Sequence, residues 1–99
     1  MKLVLTRRAR RDMDSISAYT LKNWGRAQLL DYMGGLLDRM DEIAAEPEKG
    51  RSVPGIPDRF RRQSYRAHFI FFSIRGDEVR IIRILHQSMD HARHLGRSF

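Results

Sequence analysis

The sequence predicts an α+β fold in which a helical hairpin packs on one face of a small, mostly antiparallel sheet, in the order β-α-α-β-β-β with a short C-terminal helix. Three observations carry this. Two long runs with apolar residues at helical spacing follow one another across a single glycine. Three β-prone runs then follow a stretch rich in proline and glycine. Finally, 99 residues with 41% hydrophobic content are enough for one core and too few for two, so residues 1–99 read as a single domain.

Lys2–Leu5 is β-prone, and Thr6 stands where a helix N-cap would sit, so the first strand leads directly into a helix. In that helix Ala9, Met13, Ile16, Thr20 and Trp24 form one stripe, and Gly25 is expected to close it as a left-handed C-cap. Leu30, Met33, Leu37, Met40 and Ala44 form the main stripe of the next helix, with Leu29, Leu36 and Ile43 beside it, and the run ends before Pro47. So short a connection folds the two helices back on each other. Gly34 and Gly35 interrupt the second helix at about 1 kcal/mol each relative to alanine. A close approach of the first helix or the sheet is the expected compensation, with a hinge as the alternative.

Residues 47–58 contain three prolines and two glycines and read as a loop. Strands are expected at 60–65, 67–74 and 79–85, with Arg75-Gly76-Asp77-Glu78 as the last turn. The middle strand is apolar on both faces, which suits the sheet centre. With the hairpin on one face, the other is expected to be partly bare. Phe69, Phe71, Val79, Ile81 and Leu85 are its candidate residues, and a partner or the tail at 89–99 is the candidate cover.

Charge narrows the functional classes. The net charge is +7, and it runs basic, acidic, basic along the chain: residues 27–50 carry six acidic groups and two basic ones, while 51–99 carry ten basic and four acidic. Arginine supplies sixteen of the nineteen cations, which favours forked contacts to carboxylate or phosphate. An acidic protein or a nucleic acid are both fitting partners. With no cysteine, neither disulfides nor a thiolate metal site can brace the fold. The apolar run at Leu3-Val4-Leu5 is too short for a signal peptide, and nothing spans a bilayer, so a cytoplasmic protein with no membrane partner is expected.

The segment Arg80-Ile81-Ile82-Arg83-Ile84-Leu85-His86-Gln87-Ser88-Met89-Asp90 reads as a buried strand that carries an arginine, ends in a histidine and turns into a basic helix. It resembles the C-terminal signature of the ParE branch of the RelE/ParE toxins, small proteins of bacterial type II toxin–antitoxin modules. The resemblance extends over nearly the whole chain. Leu3-Val4-Leu5-Thr6-Arg7-Arg8-Ala9, Asp12, Ile16, Tyr19 and Trp24-Gly25 are similar to the family's opening. Ile43-Ala44-Ala45-Glu46-Pro47, Gly50-Arg51, Phe60-Arg61-Arg62 and His68-Phe69-Ile70-Phe71-Phe72 follow in family order, although Ser73 falls where tyrosine or arginine is common.

The resemblance implies a RelE/ParE-like fold and a toxin that inhibits DNA gyrase by binding, with no cofactor and no catalytic residues. It also implies neutralisation by a ribbon-helix-helix antitoxin of the ParD type, with operator DNA met only through the toxin–antitoxin complex. The residues expected to meet partners are Arg61, Arg62, Phe69, Phe71, Arg83, His86, Met89 and Leu95.

A second reading is a RelE-like, ribosome-dependent mRNA endonuclease. There His86 would serve as acid or base, and Arg62 and Arg83 would face the developing phosphorane charge. A third is a basic DNA-binding accessory subunit. Against these stand plainer roles. His86 can simply terminate a strand, and Arg61, Arg62 and Arg83 can form internal ion pairs with Asp58, Asp77, Glu78 or Asp90. Tyr19, Tyr32 and Trp24 could stack on bases, but they sit in helices at core spacing. His86, Asp90, His91 and His94 have helical spacing for a metal, but a strand-to-helix break divides them and no cysteine joins them.

Overall fold

The computed structural model describes residues 1–96. The chain forms strand β1 (Lys2–Leu5), helices α1 (Arg7–Trp24) and α2 (Arg26–Ala45), a 3-10 turn at Pro47–Lys49, strands β2 (Phe60–Tyr65), β3 (His68–Arg75) and β4 (Glu78–His86), and helix α3 (His91–Leu95). The sheet order is β1-β4-β3-β2. Strand β1 runs parallel to β4 and the other pairings are antiparallel, so the α1–α2 hairpin is a crossover that lies over one face.

Helix α1 starts as the sequence predicts. The Thr6 hydroxyl accepts from Ala9 N at 3.1 Å and donates to Ile82 O at 2.9 Å, which ties the helix start to β4. Gly25 differs from the expected left-handed cap. Its φ of 86° is positive but its ψ of 176° is extended, and it is at once the C-cap of α1 and the N-cap of α2. A one-residue reversal of this kind needs glycine's access to positive φ.

Under the hairpin, Ala9, Leu36, Met40, Ile43, Ile70, Phe72, Val79, Ile81 and Ile84 form the main core. Gly35 shows why that helix tolerates glycine. A Cβ there would overlap the ring of Tyr65 on β2, whose hydroxyl donates to Tyr32 O at 2.7 Å. Gly34 faces open space.

The second face departs from expectation. Val79 and Ile81 belong to the hairpin side, and Phe71 and Leu85 are covered by Ile56, Phe60 and Leu95, with Val53, Phe69 and Ile82 packed around them. The cause of the first difference is a bulge. Phe71 pairs with Arg83 while Phe72 pairs with Ile81, so β4 carries one extra residue and its side-chain parity shifts midway. The cause of the second is that the 47–58 loop and α3 fold over the face. The chain's own segment therefore supplies most of the cover that a partner was expected to provide; the last part of that tail, residues 97–99, lies outside the described residues.

Candidate functional site

The bulge also decides the fate of Arg83. Strand β1 ends at Leu5, so beyond Ile81 the flank of β4 meets α1 instead of another strand. There the Asp12 carboxylate accepts from Arg83 Nε at 2.7 Å, from Arg83 Nη2 at 2.9 Å and from the Ile84 backbone N–H at 2.9 Å. Arg83 Nη1 donates to His94 O at 3.3 Å and so holds α3 as well. The side chains of Arg83 and Asp12 are only 14% and 15% exposed. Arg83 is thus ion-paired as the plainer reading held, but with Asp12 of α1, not with Asp58, Asp77, Glu78 or Asp90.

Three concavities among the described residues bear on the candidate site. The first, about 460 Å³, lies beside β2 and is lined by Arg39, Lys49, Arg51, Arg62, Gln63, Ser64 and Phe69. Arg62 stacks over the Phe69 ring with its guanidinium carbon 4.1 Å from the centroid. Backbone bonds between Arg51 and Arg62 and a contact from Arg39 to Ser64 O occupy the outer edge of β2, so this trough presents cations and not a free strand edge. Arg61 donates to Gly50 O at 3.2 Å, which fastens the loop.

The second concavity, about 390 Å³, runs between the hairpin and the ends of β3 and β4. Its walls include Tyr19, Trp24, Tyr32, His68, His86 and Met89. Here the core-spacing expectation fails for Trp24 and Tyr19, which are 69% and 64% exposed. Both lie in the distal part of α1, where Thr20 is the buried residue.

At its floor, Tyr32 Oη lies 2.6 Å from His68 Nδ1, and the His68 and His86 rings meet edge to face at 5.4 Å. Burial, and then the neighbouring His86, lower the His68 pKa below its ordinary value, while burial raises that of Tyr32. A protonated phenol beside a neutral imidazole is the arrangement both shifts favour. His86 Nδ1 lies 2.7 Å from Ser88 Oγ and accepts from Ser88 N at 3.1 Å, which makes it a strand terminator.

The third concavity, about 470 Å³, is lined by Arg8, Arg83, Arg93 and His94.

The eight residues expected to meet partners are therefore dispersed. Arg62 and Phe69 border the cationic trough, and His86 and Met89 border the apolar groove. Arg61 and Arg83 hold the chain's own loop and helices. Phe71 and Leu95 are corrected: at 0% exposure they pack against each other's neighbours in the second core, so neither offers a surface. Arg39, Lys49 and His68, which the sequence does not single out as partner residues, border the same concavities, and Tyr19 and Trp24, expected at core positions, form exposed walls of the groove. A tryptophan immediately before the hairpin glycine was the available signal for the groove.

A helical hairpin crossing over a four-stranded sheet of order β1-β4-β3-β2 is the architecture that the resemblance to the RelE/ParE toxins implies. The comparisons agree: the chromosomal ParDE system of Pseudomonas aeruginosa supplies a chain that superposes with a TM-score of 0.76 at 22% identity, covering 87% of this chain and 95% of that one. The sequence profile described as "ParE toxin of type II toxin-antitoxin system, parDE" matches residues 3–91, and the chain belongs to that family. It is 38% identical over 92 residues to Toxin ParE1 of Caulobacter vibrioides, covering 93% of this chain and 95% of the relative. Toxin ParE1 of Mycobacterium tuberculosis is 30% identical over 95 residues, with 95% and 97% covered.

Proposed function

We propose that this ParE-family toxin acts by binding DNA gyrase rather than by cutting RNA, and that a ParD-like ribbon-helix-helix antitoxin neutralises it in the cytoplasm. One observation carries the choice between binding and catalysis. The three groups that the ribonuclease reading needs border three different cavities: Arg62 the trough, His86 the groove and Arg83 the third pocket. General acid–base cleavage requires such groups around one phosphate, within hydrogen-bond reach of the same reacting atoms. His86 is further engaged by Ser88, whose hydroxyl lies 2.7 Å from its Nδ1.

Family membership supports the antitoxin as partner, and the surface suits it. A flexible acidic segment with spaced apolar residues would find cations at Arg39, Lys49, Arg51 and Arg62, and aromatic anchors at Tyr19 and Trp24. The test is growth arrest on expression of His86→Ala, with folding checked by circular dichroism and antitoxin capture. Retained arrest is expected. Loss of arrest in a folded, antitoxin-binding variant would transfer the role to chemistry at His86.

A further inference from the structure

The third pocket is not explained by either the fold or the toxin reading. Arg8 comes from the first turn of α1, Arg83 from the bulged part of β4, and Arg93 and His94 from α3, and all four line one cavity of about 470 Å³. No acidic side chain lines it among the described residues. Arg8 Nη1 is buried without a hydrogen-bond partner among the described residues. A buried guanidinium donor left unpaired is costly, because the desolvation is not compensated.

Asp12 does not relieve it, since its carboxylate is taken by Arg83 and the Ile84 N–H. That pairing, with the bond from Arg83 Nη1 to His94 O, instead fixes Arg83 as a rigid cation whose remaining N–H groups are free for a ligand.

We infer that this pocket is an oxyanion site for a phosphate group, held by Arg8, Arg83, Arg93 and His94. Phosphate is favoured over carboxylate on geometric and charge grounds. The donors arrive from three elements, which suits a tetrahedral acceptor with several oxygens better than a planar one satisfied by a single fork. Three arginines against one neighbouring carboxylate leave a positive excess that matches a dianion. The inference stands independently of the gyrase reading, because it concerns a cavity which that reading does not use.

The test follows thermal unfolding of the purified full chain in inorganic phosphate, in adenosine monophosphate and in acetate, each against chloride at equal ionic strength. Phosphate and the mononucleotide are expected to raise the melting temperature, and acetate is not. Backbone amide NMR signals of residues 91–95 should shift with phosphate. Arg8→Gln and the exposed-site variant Arg93→Gln are each expected to weaken phosphate binding about tenfold or more, the loss of one charge-assisted hydrogen bond.

In phosphate-free buffer Arg8→Gln should melt no lower than the unaltered protein, since it removes an unpaired buried donor. A short DNA duplex distinguishes the source of the phosphate. Arg8-dependent duplex binding that inorganic phosphate competes away would assign a backbone phosphate, and stabilisation by the small anions alone would assign a free one. The inference is overturned if phosphate adds nothing beyond ionic strength, if acetate acts equally well, or if neither variant changes the response.

Discussion

Asp12→Ala is the most consequential single change the structure predicts. The substitution removes a carboxylate that accepts three hydrogen bonds, at 2.7, 2.9 and 2.9 Å, from Arg83 and the Ile84 N–H. What remains is a largely buried guanidinium and a backbone donor on the unpaired flank of β4, both facing a void. Breaking a buried pair in this one-sided way costs about 3–5 kcal/mol, chiefly because the surviving charge is stranded. Since a typical small protein has a total stability of about 5–15 kcal/mol, a large share of this chain's stability depends on the pair.

In urea, with a slope of about 1.5 kcal/mol per molar, the unfolding midpoint should fall by roughly 2–3 M. Asp12→Leu combined with Arg83→Met should recover much of that loss, because replacing both charges by apolar groups removes the stranded cation. Recovery would show that the pair orients β4 and α3 without contributing much net stability. A loss below about 1 kcal/mol for Asp12→Ala alone would refute the reasoning, since it would place the pair in the range of exposed ion pairs.

Adjacent glycines in α2 should respond oppositely. Gly34→Ala meets open space and is expected to stabilise by about 1 kcal/mol through helix propensity, whereas Gly35→Ala drives a methyl group into Tyr65 and is expected to destabilise by about 1–3 kcal/mol, both read from denaturant midpoints. His68 should make stability depend on pH. Its folded pKa lies below the ordinary 6.5, so the unfolded chain takes up the proton first, and stability falls as pH drops through 6.5 toward the folded value and levels off below it. His68→Gln should flatten that part of the profile in parallel melts. Charge reversal at Lys49 and Arg51, which line the trough beside β2, is expected to slow antitoxin association and reduce its salt dependence in stopped-flow mixing; unchanged rates would remove the trough from the interface.

Much of the architecture was legible because local signals agreed with tertiary ones. Thr6, Gly25 and Pro47 marked the helix limits, and the 47–58 loop and the Gly76 turn framed the strands, each within a residue or two of the observed limits. The candidate sites were harder to read. Strict alternation along β4 placed Val79 and Ile81 on the far face, and only a bulge, which no residue in β4 announces, returns them to the hairpin.

The partner of Arg83 is not among the carboxylates near it in sequence: Asp12 lies 71 positions away and is brought there by the crossover. Leu95 looked like an exposed tail residue because five residues of helix carry too little periodicity to show that one of them plugs a core. Trp24 sat on the apolar stripe, but a stripe shows which face of a helix is apolar and not how far along it the sheet extends.

The most direct measurement is gyrase supercoiling with the purified toxin added, with and without its antitoxin, alongside translating ribosomes given the same preparation. Loss of supercoiling, reversed by the antitoxin, with messages left intact is the result the account predicts. Intact supercoiling together with messages cut at codons would contradict it.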